Sequence, residues 1–231
     1  MALALRYGSI LCSPAAMRRI VLILLVSLAG CATQSPESAF WGWFRLHAAE
    51  LKTVRQSDAP IMDTLQQRLG AVHDGLTYEM SMHDGPVREL IISADGIVSL
   101  VPAVHRLTAS APRMEGWKVI AFRPRMPNYM GFSLNHSGYV HDLTSIWFDP
   151  IVDDDHFDLI LYHPHYCEEE RGRIVNALYI LLDMALGEFD VMTRIRHIDF
   201  QRLPENPEQQ GLVPFARLRE VFDDVNGKRS R

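Results

Sequence analysis

The chain has 231 residues, 23 basic against 28 acidic, for a net charge of −5. That length allows one sizeable core or at most two small domains. The acidic balance, with no basic stripe, speaks against a nucleic-acid binder, because phosphate neutralisation supplies most of that affinity.

Arg18 and Arg19 precede an apolar run, Ile20 to Leu28. The run is far short of the ~20 residues that span a bilayer as a helix. A charged start, a short apolar stretch and small residues before a cut are the parts of a secretion signal. The cut region, Leu28-Ala29-Gly30-Cys31, resembles the lipobox of bacterial lipoproteins. The resemblance implies a signal peptide over residues 1–30, with Met17 an alternative start, and a diacylglyceryl group on Cys31. It also implies attachment to the cell envelope. Ala32 after the cysteine points to the periplasmic side of the outer membrane. Residues 1–30 hold three arginines and no acid, so their removal takes the net charge to −8. Besides Cys31 the mature part keeps only Cys167, which excludes an internal disulfide framework. Residues 31–38 read as a polar lipidated tether, 39–225 as one domain and 226–231 as a disordered basic tail.

A helix is expected from Phe40 to Val54, with Ser38 as N-cap and Phe40, Phe44, His47 and Leu51 on one face. Pro60 opens a second, with Met62, Leu65, Leu69 and Val72 inward. The period then changes to two: Leu76, Tyr78, Met80 and Met82 alternate with polar residues, and Asp84-Gly85 turns the chain into a partner strand, 87–94. A helix with Val98, Val101, Val104 and Leu107 inward follows, stopped at Ala111-Pro112. The next strand is 117–125. The same order recurs: strands at 144–149 and 157–163, a helix from Glu169 to Leu186 stopped by Gly187, a strand at 192–200, and a last helix opened by Pro214. Strand 157–163 is apolar on both faces and belongs near a sheet centre. The fold class expected is α+β: an antiparallel-rich sheet of about six strands from two ββαβ units, with helices mainly on one face.

Five stretches form a recurring series: Phe40-Trp41-x-Trp43-Phe44; Glu89 to Gly96; Ala111-Pro112 with Gly116-Trp117; Ala121-Phe122-x-Pro124; and Leu181-Leu182-Asp183-x-x-Leu186-Gly187-Glu188. Across residues 40–222 the chain resembles an uncharacterised family of bacterial α+β proteins of unknown function. The resemblance implies the fold and carries no activity and no catalytic residue.

The main chemical candidate is His163, His165 and Cys167, whose spacing of two would aim all three to one side of an extended chain. Imidazole and thiolate suit zinc or copper, and Cys167 before a helix invites thiol chemistry. Glu168, Glu169 and Glu170 oppose a thiolate, and Pro164 interrupts the alternation. Arg123 and Arg125, with Asn128 and Tyr129, form a polar loop suited to an anion. Met80, Met82 and His83 read as strand packing before copper ligands, and residues 153–156 as a solvated turn before a calcium loop. Asp183 and Glu188 read as a helix-edge ion pair or cap. Phe40 to Phe44 read as core, with a headgroup contact near the anchor as the alternative. No convergent nucleophile, base and oxyanion donor is visible. The expectation is therefore a lipid-anchored envelope protein acting by binding, its partner another envelope protein, with no cofactor and no nucleic acid. A metal- or thiol-dependent enzyme and a small-ligand-binding lipoprotein are the alternatives.

Overall fold

In the computed structural model, which describes residues 34–55, 59–81, 85–153 and 156–229, the first element is helix α1 (Pro36–Thr53). It starts two residues before Ser38, which sits in its first turn. Phe40, Trp41, Phe44 and Leu51 are buried along one face, as the spacing requires. Helix α2 (Pro60–Gly70) opens on its proline, whose missing N–H has no partner to lose there. Strand β1 (Thr77–Met80) pairs antiparallel with β2 (Arg88–Ser93), and β2 pairs parallel with β3 (Trp117–Ala121). Helix α3 (Val101–Ala109) makes the crossover. Leu90 and Ile92 meet the apolar faces of all three helices in one core.

Val98 departs from expectation. A 3₁₀ turn over Val98–Leu100 rotates the phase before α3, so Leu100, Ala103, Val104 and Leu107 point inward and Val98 is left 55% exposed. Strand β3 stops at Phe122, whose φ of +63° breaks the extended run predicted through residue 125.

A hairpin absent from the sequence reading follows: β4 (Ser133–His136) and β5 (Tyr139–Asp142), turned by Ser137-Gly138, both at positive φ. Then β6 (Trp147–Val152) pairs antiparallel with β7 (Phe157–His163), which pairs parallel with β8 (His197–Arg202). Helices α4 (Arg171–Leu186) and α5 (Glu188–Arg194) fill that crossover. The two-residue strand β9 (Val213–Pro214) covers one end of β6, and α6 (Leu218–Arg229) closes the chain. Strand β7 lies inside the order β8-β7-β6-β9, where its apolar sequence placed it. Helix α5 occupies part of the strand predicted from residue 192. Gly187, at φ +84°, ends α4 and lets a new helix begin at once, burying Val191. The tail predicted to be disordered from residue 226 is helical as far as Arg229, and Asn226 bonds back to the Phe222 carbonyl at 2.8 Å.

The protein is α+β, and the ββαβ order is present in both halves with the same pairing senses. The strands divide, however, into a three-stranded sheet, the hairpin and a four-stranded sheet, and do not join in one sheet of six. Each half has its own apolar core, one around Phe44 and Leu90, the other around Phe148 and Leu182. Both cores lie within the unit Pro36–Arg231.

Candidate functional site

Glu188 is one of several side chains that join the two halves. Glu188, at the start of α5, is fully buried. Its Oε1 accepts the Ser93 hydroxyl at 2.7 Å and the Ala94 main-chain N–H at 2.9 Å; its Oε2 accepts the Arg123 main-chain N–H at 2.9 Å. These donors sit at the carboxyl ends of the parallel strands β2 and β3, where chain ends leave N–H groups unpaired. Glu188 satisfies them from the other half, and its own N–H donates to the Arg123 carbonyl at 3.0 Å. Three stretches far apart in sequence therefore converge here: Ser93-Ala94-Asp95, Phe122-Arg123 and Asp183 to Glu188.

Arg123 sits beside this joint among four carboxylates. It pairs with Glu79, with Asp95 at 3.1 Å, with Asp183 at 3.3 Å and with Glu188 at 4.0 Å. Burial works against its charge, but the hydrogen bond and charge of Glu79, with Glu188 and Asp95, hold its proton more tightly than in water. Asp183 shows the opposite effect: burial, against the pull of Arg123 and reinforced by Glu188 and Glu79, raises its carboxyl to about 7. Arg125 is also engaged, by Asp190 and Asp223, each at 2.8 Å, and by the Leu186 carbonyl at 2.7 Å.

These groups form one end of a cleft of about 1210 Å³. One wall is strand residue Ile91 with Glu79 and Asp95; the other is the outer face of α4. Asn176, Tyr179, Ile180, Asp183 and Met184 lie on that face at helical spacing, opposite the buried stripe of Ile174, Leu178, Leu181 and Leu182. Helix α4 is thus apolar on two sides, and only one is covered by its own core. Val98, Phe132, Tyr179 and Ile180, 38–55% exposed, are among the protein's large exposed apolar residues, and all four line this cleft.

Of the loop set predicted to hold an anion, Arg123 and Arg125 line the cleft; Asn128 and Tyr129 are not part of it. Tyr129 is buried, bonds the Ala216 carbonyl at 3.1 Å and lies under the Arg219 guanidinium at 4.6 Å. Carboxylates of the protein pair with both the Arg123 and Arg125 guanidiniums.

His163, His165 and Cys167 do not share one side. Strand β7 ends at His163 and the chain turns, so His163 is buried, His165 is exposed and Tyr166 is buried between His165 and Cys167. His163 meets instead His141 on β5, with Nε2 3.2 Å from His141 Nδ1. His163 Nδ1 accepts the main-chain N–H of His165 at 3.2 Å, which places the ring proton on Nε2 and commits both nitrogens. Burial, then the neighbouring histidines, lowers His163 to about 4. The Glu169 carboxyl is held below its ordinary value by its own main-chain N–H and by the Cys167 thiol, which donates to it. Among the described residues no group of three or more His, Cys, Asp or Glu is placed to hold a metal ion. Met82, His83, Asp154 and Asp155 lie outside the described residues, as does Cys31. Phe40, Trp41 and Phe44 are core: Trp41 Nε1 donates to the Leu107 carbonyl at 2.9 Å, and Phe44 meets Trp117 edge-on at 4.9 Å.

Comparison with family models, with curated proteins and with solved structures finds no match for the chain.

Proposed function

We propose that this is an envelope protein, tethered by a lipid on Cys31, that binds a peptide segment of a partner protein in the cleft between its two ββαβ halves. The cleft carries the reading. It exceeds the ~300–1,000 Å³ of ordinary small-molecule pockets, and four large exposed apolar side chains are among its lining. Three methionines, Met126, Met184 and Met192, add a deformable apolar lining of the kind suited to peptide side chains. The polar groups at its end are committed to holding the halves together, and none pairs a nucleophile with a base. The enzyme alternative centred on His163, His165 and Cys167 has weaker support, because both His163 nitrogens and the Cys167 thiol are already engaged.

Panning a displayed peptide library on the Pro36–Arg231 unit tests the reading. Sequences should be enriched on the wild-type unit and lost on a Tyr179→Ala/Ile180→Ser variant. No enrichment, or equal enrichment on both, would refute it. For the tether, cells fed a labelled fatty acid should mark the wild-type chain and leave Cys31→Ser unlabelled. A wild-type chain without label would overturn lipid attachment. Among the described residues no helix is long and apolar enough to cross a membrane.

A further inference from the structure

The four-stranded sheet β8-β7-β6-β9 is apolar on both faces, and its core covers only one. Alternation along the strands sends Phe148, Leu159, Leu161 and Phe200 into that core. Trp147, Ile151, Ile160 and Tyr162 project the other way, and none of them belongs to either core or packs against one. None of them lines the cleft. A solvated sheet face ordinarily alternates to polar residues, yet here Ile151 is 45% exposed. Register gathers the group: Trp147 stands opposite Tyr162, and the next row across three strands reads Asp149, Ile160, Asp199.

The charge on this face is negative where the aromatics stand. Burial, then the charges of Asp149 and Asp199, hold the Tyr162 hydroxyl proton more tightly than in water. Asp149 has no ion-pair partner among the described residues. Asp199 accepts the Phe200 main-chain N–H at 2.8 Å and the Gln201 amide at 3.4 Å, and reaches Arg171 only through its field. Asp158, in the third row beside His197, is already paired with Arg196. An aromatic ring between two carboxylates favours a cation. The open platform suits a protein surface, since small-ligand sites are concave, and Trp and Tyr are the residues on which such contacts concentrate. A second copy of the same face would set aspartates against aspartates, and an anionic headgroup would meet the same repulsion.

We propose that this open sheet face is a second interaction surface, separate from the cleft and independent of the peptide-binding reading, and that it docks a basic patch of a partner protein. A Lys or Arg of the partner rests on the Tyr162 ring between Asp149 and Asp199. Trp147, Ile151 and Ile160 receive the apolar residues around it.

Fluorescence anisotropy of three labelled peptides, alternating Leu with Arg, Ser or Glu, against the Pro36–Arg231 unit tests this. The Arg peptide should bind roughly tenfold more tightly than the Ser peptide, and the Glu peptide more weakly than either. Asp149→Asn/Asp199→Asn, which keeps an oxygen for the Phe200 N–H, should weaken the Arg peptide about fivefold and leave the Ser peptide unchanged. Tyr162→Leu should remove most of the preference for Arg, whereas Tyr162→Phe, which keeps the ring face, should retain it. The cleft variant Tyr179→Ala/Ile180→Ser should leave that preference intact. Its loss in the cleft variant, with the sheet-face variants unchanged, would overturn the second surface. Equal binding of the three peptides, or binding of none, would overturn the basic partner whatever library panning shows for the cleft. Tighter binding of a labelled tetrasaccharide of N-acetylglucosamine, lost in Tyr162→Leu, would assign the face to a glycan and overturn the protein partner.

Discussion

Asp183→Asn should stabilise the protein at alkaline pH and leave it unchanged in acid. Asp183 is mostly buried, its side chain 15% exposed, and its one close cation, Arg123, is shared with three other carboxylates. Burial therefore raises its carboxyl from an ordinary 3.8 to about 7. Between those values the folded chain keeps a proton that the unfolded chain has released. Stability is thus fully present below about pH 4 and is lost as pH rises through about 7. At about 1.36 kcal/mol per pH unit the loss approaches about 4 kcal/mol, a large fraction of the ~5–15 kcal/mol that hold a domain folded. Asparagine mimics the protonated carboxyl, and its oxygen can still accept from Arg123. In guanidinium denaturation the variant should match the wild type near pH 4 and exceed it by up to about 4 kcal/mol near pH 8. Taking the difference between the two proteins cancels the titrating groups that do not interact with Asp183. A variant less stable than wild type at pH 8, or one with the same gain at both pH values, would refute the reasoning.

Two further outcomes follow from the same geometry. Glu188→Ala strands the Ala94 and Arg123 N–H groups and the Ser93 hydroxyl in a buried joint; denaturation should show a loss of about 3–5 kcal/mol, with Glu188→Gln intermediate because it keeps one oxygen. His163 titrates in the opposite sense to Asp183: its folded value of about 4 lies below the ordinary 6.5. Stability is therefore complete above about pH 6.5 and is lost by about 3 kcal/mol as pH falls toward 4. His163→Gln should flatten that acid limb; an unchanged limb would place the loss elsewhere.

Much of the secondary structure was legible in the residues. The extent of β7, the proline that opens α2 and the glycine that ends α4 follow from periodicity and backbone chemistry local to each stretch, whereas Val72, expected inward on α2, lies beyond its end at Gly70. The elements that escaped were those set by neighbours. Helix α5 is short and begins directly after Gly187, where burial of Val191 outweighs a weak strand pattern. The β4–β5 hairpin has little apolar alternation and is set by two positive-φ residues at its turn. Val98 faces outward because a single 3₁₀ turn shifts the helical phase.

The candidate site was legible only in fragments. Arg123, Asp183 and Glu188 were each noticeable, but their convergence depends on a chain separation of 65 residues between Arg123 and Glu188 being folded back. The second face of α4, with Tyr179, Ile180 and Met184, carries no local signal that a cleft lies over it. His141 carried no signal, since its partner His163 stands 22 residues away on another strand. Local periodicity, caps and turns depend on contacts within a few residues, so sequence alone determined the two ββαβ orders, the expectation of a lipid on Cys31 and the aromatic core around Phe44. Burial and charge depend on what the chain brings together over long separations. Tertiary structure alone decided that the strands form separate sheets, that the arginines are already paired, and that His163 and Asp183 hold their protons on opposite sides of their ordinary range.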